Sequence, residues 1–139
     1  MKRNESVANI MSTVLVTAHL GNKLSEVHAL FRKHKIHHVP VVSGTKFIGL
    51  LTASDLLRVS WGDPYTHDPR EIDTLLDTQE IREVMQEDVK TILPTATIRE
   101  AAQALADGSF HSLPVVDASG DLAGLITTTD LIRYLLAQY

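Results

Sequence analysis

The sequence predicts a mixed α/β (α+β) fold built from two similar β-α-β-β-α repeats. The segment GLLTASDLLR at residues 49–58 nearly recurs as GLITTTDLIR at residues 124–133, and PVV occurs at residues 40–42 and 114–116. A shift of 74 residues aligns the two PVV segments, and a shift of 75 aligns the segments that follow. Because turns tolerate insertions, one extra residue in the intervening turn is what duplication of a single unit predicts.

Each half begins with a short β-prone run, VLVT at residues 14–17 and VKTI at residues 89–92, and an amphipathic helix follows. Apolar residues recur at helical spacing in both helices, namely Leu24, Val27, Leu30 and Phe31, and Ile98, Ala101, Ala102 and Leu105. Ser25 and Thr97 are candidate N-caps, because a hydroxyl accepts a hydrogen bond from a first-turn N–H.

Two further strands and a second helix complete each half. HVPVV at residues 38–42 and LPVV at residues 113–116 are β-branched strands with proline near the start, where a missing N–H is tolerated. After a glycine-containing turn, FIGLLT and LAGLIT predict a second buried strand. A Thr-x-x-Asp segment then opens a helix whose apolar residues are Leu56 and Leu57 in one half and Leu131, Ile132, Leu135 and Leu136 in the other.

We expect a first repeat over residues 7–59, an acidic, partly helical linker over 60–80 and a second repeat over 81–137. Within the linker, Asp68 followed by Pro69 is typical of an N-cap before a proline at the first helical position, which predicts a short helix through about Leu76. Trp61, the sole tryptophan, also lies in this insertion, and the repeat pattern assigns it no role.

The composition favours a soluble, cytoplasmic protein. Of 139 residues, 44% are hydrophobic and 22% are charged, and no apolar run approaches the roughly 18 residues of a membrane span. The start of the chain is polar and is not typical of a secretory signal. Cysteine is absent, which excludes disulfides and Cys-ligated zinc. The net charge of −4 argues against nucleic acid as a partner.

Duplication explains the aliphatic residues but leaves two polar pairs unexplained, Thr52 with Thr127 and Asp55 with Asp130. A carboxylate accepts hydrogen bonds from the two vicinal hydroxyls of a ribose, and the unpaired N–H groups of a first helical turn suit a phosphate. A structural explanation is also available without a ligand. Asp near a helix start is favourable by roughly 0.3–1 kcal/mol, and Thr is an ordinary cap.

The tandem pattern closely resembles a pair of CBS domains, named after cystathionine β-synthase and also called a Bateman module. The matching segments are IMSTVLVT, HHVPVV and GLLTASDLLR in the first half and VMQEDVKTI, HSLPVV and GLITTTDLIR in the second. The resemblance implies that the repeats pack through their sheets about a pseudo-two-fold axis and form two clefts. In this family the clefts often bind AMP, ADP, ATP or S-adenosylmethionine, and two modules commonly form a disc-shaped homodimer.

The same resemblance assigns candidate binding residues. It implies Asp55 and Asp130 as ribose ligands and Thr52 and Thr127 as phosphate ligands. The implied adenine slot comes from segments 11–14 and 85–89 and from the leucine before each Thr, including Thr13, Val14, Glu87, Val89, Leu50 and Leu125. The methionines that begin these two segments are equally compatible with plain core positions.

Histidines precede the proline-containing strands. In related modules, such as that of AMP-activated protein kinase, these positions often hold basic residues that face the phosphates, and each half serves the cleft of the other half's Asp. The implied pairs are Asp130 with His37 and His38, and Asp55 with His111 and Ser112. We therefore expect the tighter site at Asp130. Because histidine is charged only below a pKa near 6.5, AMP or a neutral or cationic adenosyl group is favoured over ATP, with phosphate binding improving below about pH 7.

No arrangement typical of catalysis or of a metal site is present. The chain lacks nucleophile-elbow, phosphate-loop and HExxH motifs, and its histidine spacing matches no helix-borne metal pair. We expect a regulatory module, not an enzyme, that needs no cofactor, senses an adenine nucleotide and signals to a separate effector protein by conformational change. Two alternatives stay open: an interaction scaffold with degenerate, empty clefts, and a DNA-associated regulator, which the net charge disfavours.

Overall fold

A computed structural model describes residues 4–60 and 69–139 of the chain. After a 3-10 turn at Val7–Asn9, the elements in order are β1 (Ala18–His19), α1 (Leu24–His34), β2 (His38–Ser43), β3 (Lys46–Thr52), α2 (Ala53–Ser60), α3 (Pro69–Leu76), α4 (Ile81–Val84), α5 (Ile98–Asp107), β4 (Ser112–Val116), β5 (Leu122–Thr127) and α6 (Thr128–Ala137). The chain divides into two compact units, which we call the first unit (Val16–Asp88) and the second unit (Met1–Leu15 with Val89–Tyr139). The mixed α/β class agrees with the sequence prediction.

The first unit contains a three-stranded sheet in the order β1-β2-β3. β1 runs parallel to β2, and β2 pairs antiparallel with β3, placing His38 opposite Thr52. Helical spacing on α1 brings three of the four predicted apolar residues fully into the core, which confirms the amphipathic helix. The buried cluster comprises Ala18, Leu24, Val27, Phe31, Val39, Val41, Leu51, Leu56, Leu76, Ile81 and Met85.

The second unit repeats this arrangement with a smaller sheet. β4 and β5 pair antiparallel, with Ser112 opposite Thr127, and Ile92 adds an isolated parallel bridge to Val115. α5 buries three of its four predicted apolar residues, Ile98, Ala101 and Leu105, while α6 contributes only half-buried residues to the core. The buried cluster comprises Val7, Ile98, Ala101, Leu105, Leu113, Val115 and Ile126.

The predicted first strand of each half is wrong in position or extent. The pairing in the first half begins at Ala18, after the predicted run, and Val14 within that run is 97% exposed. In the second half, the run at residues 89–92 pairs only at Ile92 among the described residues. A β-branched residue favours a strand when it fits a half-buried pleated surface, and Val14 meets no such surface.

Each predicted repeat begins with a short segment, residues 7–14 or 81–88, which we call its leading segment. Each leading segment packs in the unit of the other repeat. Val7 N–H donates to the Ala96 carbonyl at 2.8 Å, and Val7 is fully buried in the second unit. Conversely, Ile81 and Met85 are buried in the first unit. The compact units therefore differ from the predicted repeats at residues 7–59 and 81–137, whose boundaries stay a prediction about the duplication.

The helix caps test the local predictions. Thr97 is confirmed as the N-cap of α5, since its hydroxyl accepts from Glu100 N–H at 3.0 Å. Ser25 is wrong as a cap, because α1 begins after Lys23, and the Ser25 hydroxyl instead donates to Asp77 at 2.8 Å. The predicted linker helix is confirmed as α3. Its predicted cap, Asp68, lies outside the described residues, as does Trp61.

Candidate functional site

The two Thr-x-x-Asp segments begin α2 and α6 with the same geometry. The Thr127 hydroxyl accepts from Asp130 N–H at 3.2 Å, and the Asp130 carboxylate accepts from Thr127 N–H at 2.9 Å. Thr52 and Asp55 make the same two bonds, at 3.2 and 2.9 Å. Each segment is therefore a capping box with Asp in the place of the usual Glu, which supplies a local reason for both residue types. Each box uses only the Oδ2 atom of its carboxylate.

The helix starts offer fewer free donors than predicted. Ala53 N–H donates to the His37 carbonyl at 3.0 Å, and Thr128 N–H donates to the His111 carbonyl at 3.1 Å. Together with the capping boxes, these bonds satisfy most of the first-turn N–H groups of both helices. The capacity of the backbone to hold a phosphate at these helix starts is correspondingly smaller, so a phosphate needs side-chain donors as well.

A glycine lets each leading segment lie directly on the strand before the Thr-x-x-Asp. Ser12 and Leu125 exchange backbone hydrogen bonds at 3.0 Å each, and Gln86 and Leu50 do so at 2.9 Å. A Cβ atom added at Gly124 would lie 2.9 Å from the Ser12 carbonyl oxygen and 2.6 Å from the Met11 sulfur. The glycine that opens the repeated motif is therefore required by this close approach.

The structure gathers part of the predicted site within each unit. The second unit holds Asp130 and Thr127 on α6 and β5, Leu125 before them, and the leading segment that ends in Thr13 and Val14. The first unit holds the corresponding residues, which are Asp55, Thr52, Leu50 and Glu87, whereas Val89 begins the other unit. Thr13, Val14 and Glu87 are exposed.

The methionines of the leading segments belong to the cores. Met85 is 7% exposed and lies in the buried cluster of the first unit, and Met11 packs against the cluster of the second unit. Of the two interpretations left open by the sequence, these positions support the core one. An adenine slot along these segments would then rest on backbone groups more than on the methionine side chains.

The histidines are divided between the units. His37, which is exposed, and His38, which is half-buried, belong to the first unit together with Asp55. His111 is exposed and lies with Ser112 in the second unit, together with Asp130. The pairing implied by the resemblance takes each histidine and its aspartate from different units, and it stays a prediction.

The two aspartates differ in how much of their hydrogen-bonding capacity is used. Asp55 is 2% exposed, and its carboxylate also accepts from the Arg58 guanidinium and from Gln86 Nε2, at 3.1 Å to Oδ1 and 3.3 Å to Oδ2. A carboxylate offers about four lone-pair sites, and these contacts use them. Asp130 is half-buried, and among the described residues its carboxylate accepts only from Thr127 N–H.

Sequence reasoning missed Gln86, although the repeat contains the signal. The shift that aligns Met11 with Met85 also aligns Ser12 with Gln86. Gln86 forms a backbone bridge to Leu50, and Ser12 forms the equivalent bridge to Leu125. The two side chains therefore start from equivalent places. Gln reaches the carboxylate of its unit, whereas the shorter Ser makes no hydrogen bond to Asp130 in the part of the chain that the structure describes.

Ser112 carries an unsatisfied buried hydroxyl. The residue is 2% exposed, and its Oγ is the one buried side-chain N or O atom without a hydrogen-bond partner within residues 4–60 and 69–139. It lies opposite Thr127 in the β4–β5 pairing. Buried hydroxyls normally have partners, so this atom marks a place where the second unit is incomplete by itself.

The described residues contain no group of three or more His, Cys, Asp or Glu side chains that could hold a metal ion.

None of the helices in residues 4–60 and 69–139 combines the length and hydropathy needed to cross a bilayer.

Comparison with known families accounts for the repeated geometry. The family model for the CBS domain matches residues 7–62 and matches again at residues 81–137. The chain belongs to the CBS domain family. The duplication predicted from the sequence is therefore a pair of CBS domains. This confirms the family resemblance that the repeated segments indicated.

Two sequence relatives differ in how much of their length the match to this chain covers. Protein MJ1426 of Methanocaldococcus jannaschii is 30% identical over 157 aligned residues, which cover 94% of this chain and 90% of the relative. Inosine-5'-monophosphate dehydrogenase of Korarchaeum cryptofilum is 30% identical over 117 residues, which cover 84% of this chain but only 21% of the relative. This CBS pair thus spans about a fifth of that dehydrogenase.

Two solved structures show the same fold. CBSX2 of Arabidopsis thaliana, solved in complex with AMP, has a TM-score of 0.80 at 21% identity and covers 96% of this chain and 98% of its own. The CBS domain pair of protein MJ0100, solved with 5'-methylthioadenosine and S-adenosyl-L-methionine, has a TM-score of 0.76 at 24% identity, with coverage of 96% and 98%. At these identities the likeness establishes the fold of this CBS pair.

Proposed function

We propose that this CBS pair is a regulatory module that binds an adenosine-containing ligand and needs no cofactor of its own. The observation that carries the proposal is the half-buried Asp130 carboxylate, which retains acceptor capacity at a strand-to-helix turn. The ligands of CBSX2 and MJ0100 support the ligand class, because both are CBS pairs of this fold solved with adenosyl compounds. AMP is our preferred ligand, since histidines here suit one phosphate better than three.

The proposed contacts follow from the chemistry of the residues. The free acceptor sites of Asp130 take the ribose hydroxyls, and backbone groups of the segment leading to Thr13 and Val14 take the adenine edge. The Thr127 hydroxyl, which accepts within its capping box, still has its own hydrogen to donate to a phosphate. His37 and His38 add phosphate contacts in this proposal, as the family resemblance implies.

A module of this kind acts by linkage, not by catalysis. The ligand favours one arrangement of the chain over another by its difference in affinity, and an effector protein responds to that arrangement. We propose a homodimer as the responding unit. Exposed apolar residues on and after α6 support association through this helix, namely Ile132, Leu135, Leu136 and Tyr139.

Titration calorimetry with AMP and S-adenosylmethionine, together with Asp130→Ala, tests the proposal. We expect saturable binding of at least one ligand and a loss of roughly tenfold or more in affinity in the variant, because a ribose left without its acceptor loses about 1.4 kcal/mol or more. Arg99→Ala, an exposed change on α5, is the control and should bind normally.

A scaffold with empty clefts is the second candidate, and the saturated Asp55 carboxylate favours it for that half of the chain. The scaffold predicts no heat with any adenosyl ligand from folded protein freed of copurified nucleotide. It also predicts that Asp130→Ala changes neither the fold nor any binding. Saturable binding would therefore decide against it.

A further inference from the structure

We propose that each chain binds a single adenosyl ligand, at Asp130, because Gln86 already occupies the equivalent carboxylate of Asp55. This inference rests on the function proposed above. It adds to that function the residue that sets the number of sites, Gln86. Gln86 acts as an internal substitute for the ligand in one half of the CBS pair. Ser12, at the aligned position, leaves the other half open.

The saturation of Asp55 is the first line of support. Its carboxylate holds Thr52 N–H, the Arg58 guanidinium and the Gln86 amide, and it is 2% exposed. A ribose that used this carboxylate would have to displace the Gln86 and Arg58 donors. The Arg58 contact joins two ionised groups, and neutral hydroxyls in its place would lose that pairing. A hydroxyl in the place of the neutral Gln86 amide exchanges one hydrogen bond to the carboxylate for another and gains little.

The open carboxylate of the second unit is a further line of support. Asp130 is half-buried, and among the described residues its carboxylate accepts only from Thr127 N–H, so acceptor sites stay unused. Asp130 lies in the unit where Ser12 makes the backbone bridge. One carboxylate of the pair is therefore complete without a ligand, and the other leaves hydrogen-bonding capacity unused.

The difference between Gln86 and Ser12 is one of side-chain length and donors. Both residues lie on the same backbone bridge, to Leu50 and to Leu125 respectively. The Gln86 amide carries two N–H donors at the end of three side-chain carbons, whereas Ser12 has one hydroxyl on one carbon. Gln86→Ser should therefore free the acceptor sites of Asp55, and Ser12→Gln should occupy those of Asp130.

The test is the number of AMP molecules bound per chain, measured by titration calorimetry. We expect one for the unchanged protein and two for Gln86→Ser, and we expect Ser12→Gln to weaken AMP binding at least tenfold. Gln103→Ser is the matched control, because the Gln103 amide also donates to both oxygens of an aspartate, Asp107, at 3.0 and 2.9 Å outside the site. This variant should keep one AMP per chain. Circular dichroism and urea denaturation verify that each variant is folded.

Two AMP molecules on the unchanged chain, or one on folded Gln86→Ser, would overturn the single-site inference. If no variant binds AMP, the proposed function fails for this ligand, and the occupancy of Asp55 is decided separately by urea denaturation. Gln86→Ser and Asp55→Asn are then compared with the double variant. A double shift in the midpoint smaller than the two single shifts combined supports the contact, and additive shifts contradict it.

Discussion

At the scale of single residues, two buried polar side chains, Asp55 and Ser112, differ in whether they have hydrogen-bond partners. Asp55 is charged and nearly inaccessible, and donors surround it. This is what burial requires, since an unpaired buried charge is very costly. Ser112 is buried to the same extent, but its hydroxyl has no partner among the described residues. An unsatisfied hydroxyl costs about 1–3 kcal/mol, so it is a candidate for contact with a bound molecule.

Replacing Ser112 by Ala should therefore stabilise the ligand-free protein. We expect a gain of about 1 kcal/mol in the free energy of unfolding, because the change removes an unsatisfied hydroxyl and little volume. Urea denaturation measures it, with the exposed Ser109→Ala as the control. A loss of stability in Ser112→Ala would show that the hydroxyl has a stabilising partner in the free protein.

The sequence displays the repeated Asp and Thr and the hydrogen bonds between them, but it does not display their distant partners. Thr127 and Asp130 are three residues apart, so their capping box follows from spacing alone. Gln86 lies 31 residues from Asp55 along the chain, and its contact depends on how the leading segment packs. Local spacing therefore predicted the carboxylates and missed the donor that fills one of them.

At the scale of elements, β3 and β5 each pair with a leading segment in addition to their neighbouring strand. Leu125 and Leu50 pair with their neighbours in the sheet and also with Ser12 and Gln86. The glycine before each leucine leaves room for the segment to approach. This second role explains why the repeated motif begins with glycine, a residue that otherwise weakens a strand.

Gly124→Ala should displace the segment at Ser12 and destabilise the protein by about 1–3 kcal/mol, as overpacking does. Adding Met11→Ala should not restore stability, because the new Cβ would still lie 2.9 Å from the Ser12 carbonyl oxygen. Urea denaturation provides the measurement. Gly21→Ala is the matched control, since a Cβ there meets nothing within 4 Å. Equal stability of Gly124→Ala and Gly21→Ala would contradict the close approach.

At the scale of the whole molecule, the two repeats depend on each other through their leading segments. Val7 begins the first repeat and is buried in the second unit, while Ile81 begins the second repeat and is buried in the first. A half of this size buries little surface and is marginally stable by itself. Exchange of the leading segments makes each core depend on residues from both halves.

Two matched core substitutions test this exchange by native-state hydrogen exchange. Val7→Ala should reduce the protection of β4 and β5 most, and Ile81→Ala should reduce that of β2 and β3 most, because each removes methyl groups from the core beneath those strands. The expected loss is about 1–3 kcal/mol of local stability. Loss of protection chiefly at β2 and β3 in Val7→Ala would show that the segment belongs with its own repeat.

The sequence by itself determined the duplication, the mixed α/β class, the inner strands, the two Thr-x-x-Asp segments and the helices other than the short α4. These features depend on periodicity and on residues a few positions apart, which a sequence displays directly. Only the tertiary structure decided the short first strands, the exchanged leading segments and the contrast between Asp55 and Asp130. Each of these depends on which surfaces distant segments cover, and burial and partner geometry, not local propensity, settle that.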